Sequence, residues 1–162
     1  MIAALLHRFN NTPYNLGDTT LYDEDSFYET FLRDLRKCSS ELIIESPFVT
    51  SKRLAMLMPA LEKLKAKRVR IAIVTRDPRD QDTDSLRADT YEAIARLQRL
   101  GIQVIFKEGH HRKLAILDRK ILYEGSLNIL SQNSSREVMR RIESVRLAWQ
   151  MARFTKLDSV IN

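Results

Sequence analysis

Two rhythms of apolar residues alternate along this chain. Short apolar runs, such as 42–44, 71–74 and 104–106, are separated by longer stretches in which apolar residues return every three or four positions. The first rhythm is that of buried strands and the second that of amphipathic helices. The pattern predicts a helix over 23–37, with Asp23 or Asp25 as its cap and Phe27, Phe31, Leu32 and Leu35 on one face. A strand over 41–45 follows and stops at Ser46-Pro47. The next helix, 51–67, turns Leu54, Leu57, Met58, Leu61 and Leu64 inward, and Pro59 either kinks it or starts a new helix. Then come a strand over 69–75, a mixed-charge loop to Asp84, and a helix over about 86–100. That helix directs Tyr91, Ile94 and Leu97 inward and ends at Gly101.

A strand over 102–106 leads to two more, 114–117 and 121–123, around the polar turn Asp118-Arg119-Lys120. Residues 136–142 are expected to be helical, 145–149 a strand, and the remainder a short helix or tail. At the other end, 1–9 reads as a strand or short helix, followed by a loop to about Thr19. Strands and helices alternating at this spacing argue for an α/β fold. The expected architecture is a mixed, mostly parallel β-sheet sandwiched between helices, with residues 1–162 as one domain.

Composition narrows this picture. The 162 residues are 44% hydrophobic, enough for a real core, and four glycines and four prolines leave no room for a long flexible linker. The single Cys38 rules out an internal disulfide and fits a reducing compartment, where it reads as a structural thiol. No stretch reaches the roughly 18–20 apolar residues that cross a bilayer. Met1 to Leu6 is too short an apolar run for a signal peptide, so a cytoplasmic location is expected. Lys and Arg outnumber Asp and Glu by 27 to 21, a formal charge of +6 that favours a polyanionic partner.

The most informative run is 111–128, which reads H-x-K-x4-D-x6-G-S-x-N with His111, Lys113, Asp118, Gly125, Ser126 and Asn128 at the fixed places. Six such positions coincide by chance in a chain of this length on the order of once in a million sequences. A phosphodiester is anionic and repels nucleophiles, so its site needs fixed cations or hydrogen-bond donors around the phosphate oxygens. Lys113 supplies a cation, and Ser126 and Asn128 supply neutral donors. An imidazole titrates near neutral pH, so His111 suits either nucleophile or acid. His111 and Lys113 are two apart and face one side if extended. Gly125 is expected to permit a tight bend that brings Ser126 and Asn128 beside the histidine.

The run resembles the signature of the phospholipase D superfamily, whose members cleave phosphodiesters through a phosphohistidine. The segment Glu45-Ser46-Pro47-Phe48 with its following helix is similar to the superfamily's nuclease branch. The resemblance implies a second histidine, from a second motif, to protonate the leaving oxygen. This chain has only His7, His110 and His111 and no other H-x-K. A homodimer across a twofold axis, pairing two copies of His111, is therefore expected. The superfamily also uses an acidic residue shortly after the motif to hold the histidine. Glu137 is the candidate, with Asn133 a weaker one; the bland alternative is a solvated helix glutamate paired with Arg140 or Arg141. The resemblance implies that Asp118 braces the turn, while His110 reads as an exposed loop residue or a substrate contact.

No metal-ligand spacing is visible, and the Asp77–Asp84 loop lacks the spaced glycine and terminal glutamate of a calcium loop. No cofactor and no metal are expected. Lys52, Arg53, Arg136 and Arg140 are candidate phosphate contacts, each reading equally as part of a solvated face. The function that follows is a metal-independent nuclease acting on DNA, and also on RNA as an option. A phospholipase or cardiolipin hydrolase is the enzymatic alternative. A non-catalytic DNA-binding module working with a helicase or restriction partner is the third.

Overall fold

The computed structural model describes residues 18–131 and 134–159. Among these residues seven strands form one sheet: β1 (Asp18–Asp23), β2 (Glu41–Glu45), β3 (Arg70–Thr75), β4 (Gln103–Phe106), β5 (Leu114–Leu117), β6 (Ile121–Gly125) and β7 (Val138–Glu143). Four helices accompany them: α1 (Phe27–Lys37), α2 (Ser51–Ala66), α3 (Asp84–Arg99) and α4 (Val145–Phe154). The spatial order is β1-β7-β6-β5-β2-β3-β4.

The sheet is mixed and covered by helices on both faces, as expected, but its parallel share is smaller than predicted. Only β2–β3 and β3–β4 are parallel; β2–β5, β5–β6, β6–β7 and β7–β1 are antiparallel. A parallel pair needs a long crossover, which here α2 and α3 supply. The strands of the motif are joined too closely for one and must run antiparallel.

Alternating side chains split the core in two. Leu42, Ile44, Ile71, Ile73, Ala115, Leu117 and Tyr123 pack on α1, α2 and α3. Ile43, Ala72, Val74, Leu114, Ile116 and Leu122 face the other way, with Ala148 and Ala152 of α4. Strands buried on both faces read as continuous apolar runs, which is why β2, β3 and β5 were legible.

Two expected elements are exchanged. Residues 136–142 were expected to be helical, yet 138–143 form β7. Its buried residues, Met139 and Ile142, are three apart because they face opposite sides of a covered strand, and that spacing mimics a helix. Arg141 sits on the inner side, where its Nε donates to buried Asp34 at 2.6 Å and the Tyr123 hydroxyl donates to the same carboxylate at 2.6 Å. Residues 145–149 were expected to be a strand but open α4. Ser144 caps it, accepting from the Leu147 amide at 3.3 Å, and Ala148 and Ala152 turn inward.

Smaller corrections follow the same logic. β1 occupies part of the expected loop, and among the described residues its sheet neighbour is β7, a pairing that local sequence does not announce. α2 runs unbroken through Pro59, which is exposed, so no second helix starts there. Tyr91 points outward, while Thr90, Ala93, Ile94 and Leu97 form the buried face of α3. The elements expected over 1–9, with His7, and the candidate Asn133 lie outside the described residues.

Candidate active site

At one end of the sheet β5 begins, β6 ends and β7 begins, and His111, Lys113, Gly125 and Ser126 of the motif come together there. The Gly125 amide donates to the Lys113 carbonyl at 3.2 Å, and the Ser126 amide to the Val138 carbonyl at 2.9 Å. These bonds lay Lys113, Gly125 and Val138 side by side. Above them lies an open cleft of about 500 Å³ lined by His111, Arg112, Lys113, Glu124, Gly125 and Arg140, with Leu21, Val138, Met151 and Phe154 on its apolar walls. His111 and Lys113 precede β5 rather than belonging to it, but both line this cleft. The Lys113 ammonium donates to the His111 carbonyl at 2.9 Å, which holds the cation beside the histidine.

Gly125 has a different reason from the one expected. A Cβ there would stand 2.1 Å from the Val138 carbonyl oxygen and 2.9 Å from both Cα and Sδ of Met139. It is close approach between β6 and β7, not a special backbone angle, that demands glycine.

The loop after it is anchored by its apolar residues. Leu127, Ile129 and Leu130 are buried in the larger core. The Tyr28 hydroxyl donates to the Ile129 carbonyl at 3.0 Å, and the Leu130 amide to the Ser46 hydroxyl at 3.2 Å. Ser126 donates to the Glu137 carboxylate and accepts from the Val138 amide at 3.0 Å. Glu137 also accepts from Ser135 at 2.5 Å, and it lies just before β7 rather than in a helix, so the helical spacing to Arg140 and Arg141 is not formed. Asn128 is only 7% exposed, and its Oδ1 has no hydrogen-bond partner among the described residues. Neither Ser126 nor Asn128 is among the residues that line the cleft.

Asp118 lies at the opposite end of β5. Asp118 and Arg119 both have positive φ, 51° and 53°, and the Lys120 amide closes the turn on the Leu117 carbonyl at 2.9 Å. The Asp118 carboxylate accepts from the backbone amides of Ser39, Ser40 and Glu41 at 2.9, 2.8 and 3.0 Å. Burial alone would raise its pKa, but these bonds and the Ser40 hydroxyl outweigh it and hold the group well below the ordinary carboxylate value. A depressed pKa stabilises the fold above the unfolded value near roughly pH 4, and this is lost as pH falls through the folded value. Asp118→Asn is therefore expected to flatten the acid limb of stability and cost about 1–3 kcal/mol at neutral pH, read by urea melts from pH 7 to pH 2.

Beside it, burial and then the Asp118 charge push the Cys38 thiol up to about 12. The thiol is expected to resist disulfide-exchange reagents at pH 8 in the native protein and to react on unfolding. Rapid labelling of the folded chain would contradict this.

The roles of two residues, Glu45 and Arg112, are not visible in the sequence. Glu45 is fully buried and forms a two-pronged pair with Arg112, at 2.6 and 2.7 Å. Arg112 also donates to the Thr155 carbonyl at 3.4 Å, tying the motif to the end of α4. His110, expected as an exposed loop residue or a substrate contact, is only 5% exposed, so the exposed-loop reading fails. Burial lowers its pKa, opposed by Glu45 and aided by Arg112 and Lys107. The available signal was a glutamate ending an apolar run, since a buried carboxylate requires a partner.

The outlying candidates do not join the cleft lining. Lys52 is exposed at the start of α2, and the Arg53 guanidinium lies over the Tyr28 ring at 3.9 Å. Arg136 reaches Glu24 at 3.3 Å. Only Arg140 of that group lines the cleft, along with His111, Lys113 and Gly125. Among the described residues no cluster of three or more His, Cys, Asp or Glu is placed to hold a metal ion, and no helix is long and apolar enough to cross a membrane.

This sheet, cleft and motif define a phospholipase D-like domain. The chain belongs to that family: residues 31–157 match the family model described as cardiolipin synthase, PLD-like domain. Members of the superfamily act on phosphodiesters. No curated protein sequence matches the chain. Among solved structures it is similar to Nuc from Salmonella typhimurium, a phospholipase D family member. Identity is 18%, the TM-score is 0.67, and the match covers 85% of this chain and 91% of that one. It is likewise similar to NucT from Helicobacter pylori, at 15% identity and TM-score 0.67, over 89% and 97% of the two chains. Phosphatidylserine synthase from Haemophilus influenzae shares the fold at 14% identity and TM-score 0.61, covering 88% of this chain and 38% of that one.

Proposed function

We propose that this protein is a metal-independent phosphodiesterase that cleaves nucleic acid, DNA foremost, through a covalent phosphohistidine on His111. The observation that carries the reading is the cleft itself: the exposed His111, the Lys113 cation and Arg140 line one open, basic-rimmed space. His111 attacks phosphorus, Lys113 and Arg140 offset the charge on the phosphate oxygens, and the Asn128 amide adds a neutral donor. Ser126, whose proton goes to Glu137, holds that carboxylate in place. Glu137, bonded to Ser126, is the orienting carboxylate for the histidine.

Each chain has one such histidine, and the reaction uses two. The partner subunit's His111 protonates the leaving oxygen and then activates the water that releases the phosphate. Exposed Leu21 and Val138 on the cleft's apolar wall offer a surface for that second copy. The overall charge of +6 and the likeness to Nuc and NucT favour nucleic acid over a lipid headgroup. The same features are compatible with a cytoplasmic enzyme working alone or beside a helicase or restriction partner.

The test is cleavage of labelled single- and double-stranded DNA in excess EDTA, with sedimentation of the same sample. Cleavage by a dimer supports the proposal. An inert dimer that hydrolyses cardiolipin vesicles would overturn the substrate assignment, and a fully active monomer would overturn the shared site.

A further inference from the structure

The outer face of α4 is basic and aromatic, and the catalytic reading does not use it. The helix reads Val-Arg-Leu-Ala-Trp-Gln-Met-Ala-Arg-Phe and carries no carboxylate. Arg146, Trp149 and Arg153, at positions i, i+3 and i+7, share one helical face. With Gln150 and Phe154 they line a shallow depression of about 540 Å³. Trp149 is 44% exposed, and its ring is held by the Arg119 guanidinium, 4.9 Å from the centroid. Arg119 is itself paired with buried Glu41, so the indole is braced from behind rather than swinging freely.

Phe154, 83% exposed, joins this face to the reaction centre, because it lines both the α4 depression and the His111 cleft. Trp149 and Phe154 are five residues apart, about 7.5 Å along the helix axis. A flat ring flanked by two cations and leading to a phosphodiester site matches what a single nucleic-acid strand requires. Bases stack on aromatic rings without regard to sequence, while arginines follow the phosphates. Duplex DNA keeps its base faces inside the stack and has no use for an indole there.

We infer that the Arg146–Trp149–Arg153 face of α4 is a docking track for single-stranded nucleic acid, which passes over Phe154 into the His111 cleft. The inference rests on the nuclease reading and deepens it by naming the form of substrate.

Trp149 is the only tryptophan in the chain, so its emission reports on this face alone. Titrating the full-length His111→Ala protein with oligothymidylate in EDTA is expected to quench that emission, with the same midpoint as the anisotropy of a labelled strand. Trp149→Ala is expected to weaken strand binding roughly 5- to 150-fold, and Trp149→Phe to recover most of it. In the active protein, Trp149→Ala should raise KM for the strand while leaving hydrolysis of bis(p-nitrophenyl) phosphate unchanged. Arg146→Ala and Arg153→Ala should each reduce the salt slope of binding by about one.

Strand binding without quenching, or unaltered binding by Trp149→Ala and both arginine variants, would overturn the inference while leaving the nuclease reading intact. Quenching by dilution alone or by anionic vesicles, but not by oligonucleotide, would overturn it in favour of a second copy or a lipid surface. A parent that hydrolyses neither the small diester nor DNA and binds no strand would remove the nuclease reading as well.

Discussion

Replacing His111 by alanine is expected to lower phosphodiester turnover by roughly 10⁴-fold or more, since it removes the nucleophile and, in a twofold dimer, the acid as well. The same change should leave the melting temperature almost untouched. His111 is exposed, lies outside the strands and packs no core residue, so its loss leaves neither a cavity nor an unpaired buried group. The comparison is therefore clean: activity on DNA and on bis(p-nitrophenyl) phosphate on one side, thermal unfolding on the other. A His111→Ala protein that keeps full activity would sink the phosphohistidine mechanism. A variant that loses activity only by unfolding would say nothing for it, and the melt separates the two.

Gly125→Ala should do the reverse, acting on structure first. The added methyl would sit 2.1 Å from the Val138 carbonyl oxygen, a separation no backbone tolerates. That carbonyl already accepts the Ser126 amide at 2.9 Å, so relieving the clash pulls Ser126 and the start of β7 apart. The expected cost is about 2–4 kcal/mol, in the upper range for overpacking. For a chain of this size that lowers Tm by roughly 5–15 °C. Turnover should fall at temperatures well below the transition, because the displaced loop carries Ser126 and Asn128. Calorimetry with activity assayed at 10 °C decides the matter, and a variant as stable as the parent would refute the close packing of β6 on β7.

Much of the frame was legible in the chain. The runs at β2, β3 and β5 announced strands because both faces of each are buried, and α1 and α2 announced themselves through their inner stripes. The motif was legible because its six fixed residues fall within eighteen positions of one another, whereas Arg140 reaches the cleft only through the pairing of β7 with β6. What misled was the stretch after it. Met139 and Ile142 imitated a helix because β7 is covered on both sides. Val145 and Trp149 imitated a strand because β-branched and aromatic residues favour one, although Ser144 signalled a helix start. That exchange hid the basic, aromatic face of α4, which exists only when Arg146, Trp149 and Arg153 lie on a helix.

By itself, then, the sequence determined the chemistry on offer: one histidine and one lysine at the fixed spacing of a phosphodiester site, a basic surplus, and an α/β frame to carry them. Local patterns suffice for that, since hydrophobic period and motif spacing are properties of neighbouring residues. Only the tertiary structure decided that β1 closes the sheet beside β7, that Glu45 is the buried counter-charge of Arg112, and that Gly125 is required by the approach of another strand. It alone placed His110 inside and joined α4 to the cleft through Phe154. These are contacts between residues far apart in the chain, fixed by how strands pair and which charges burial forces together, and no local pattern encodes them.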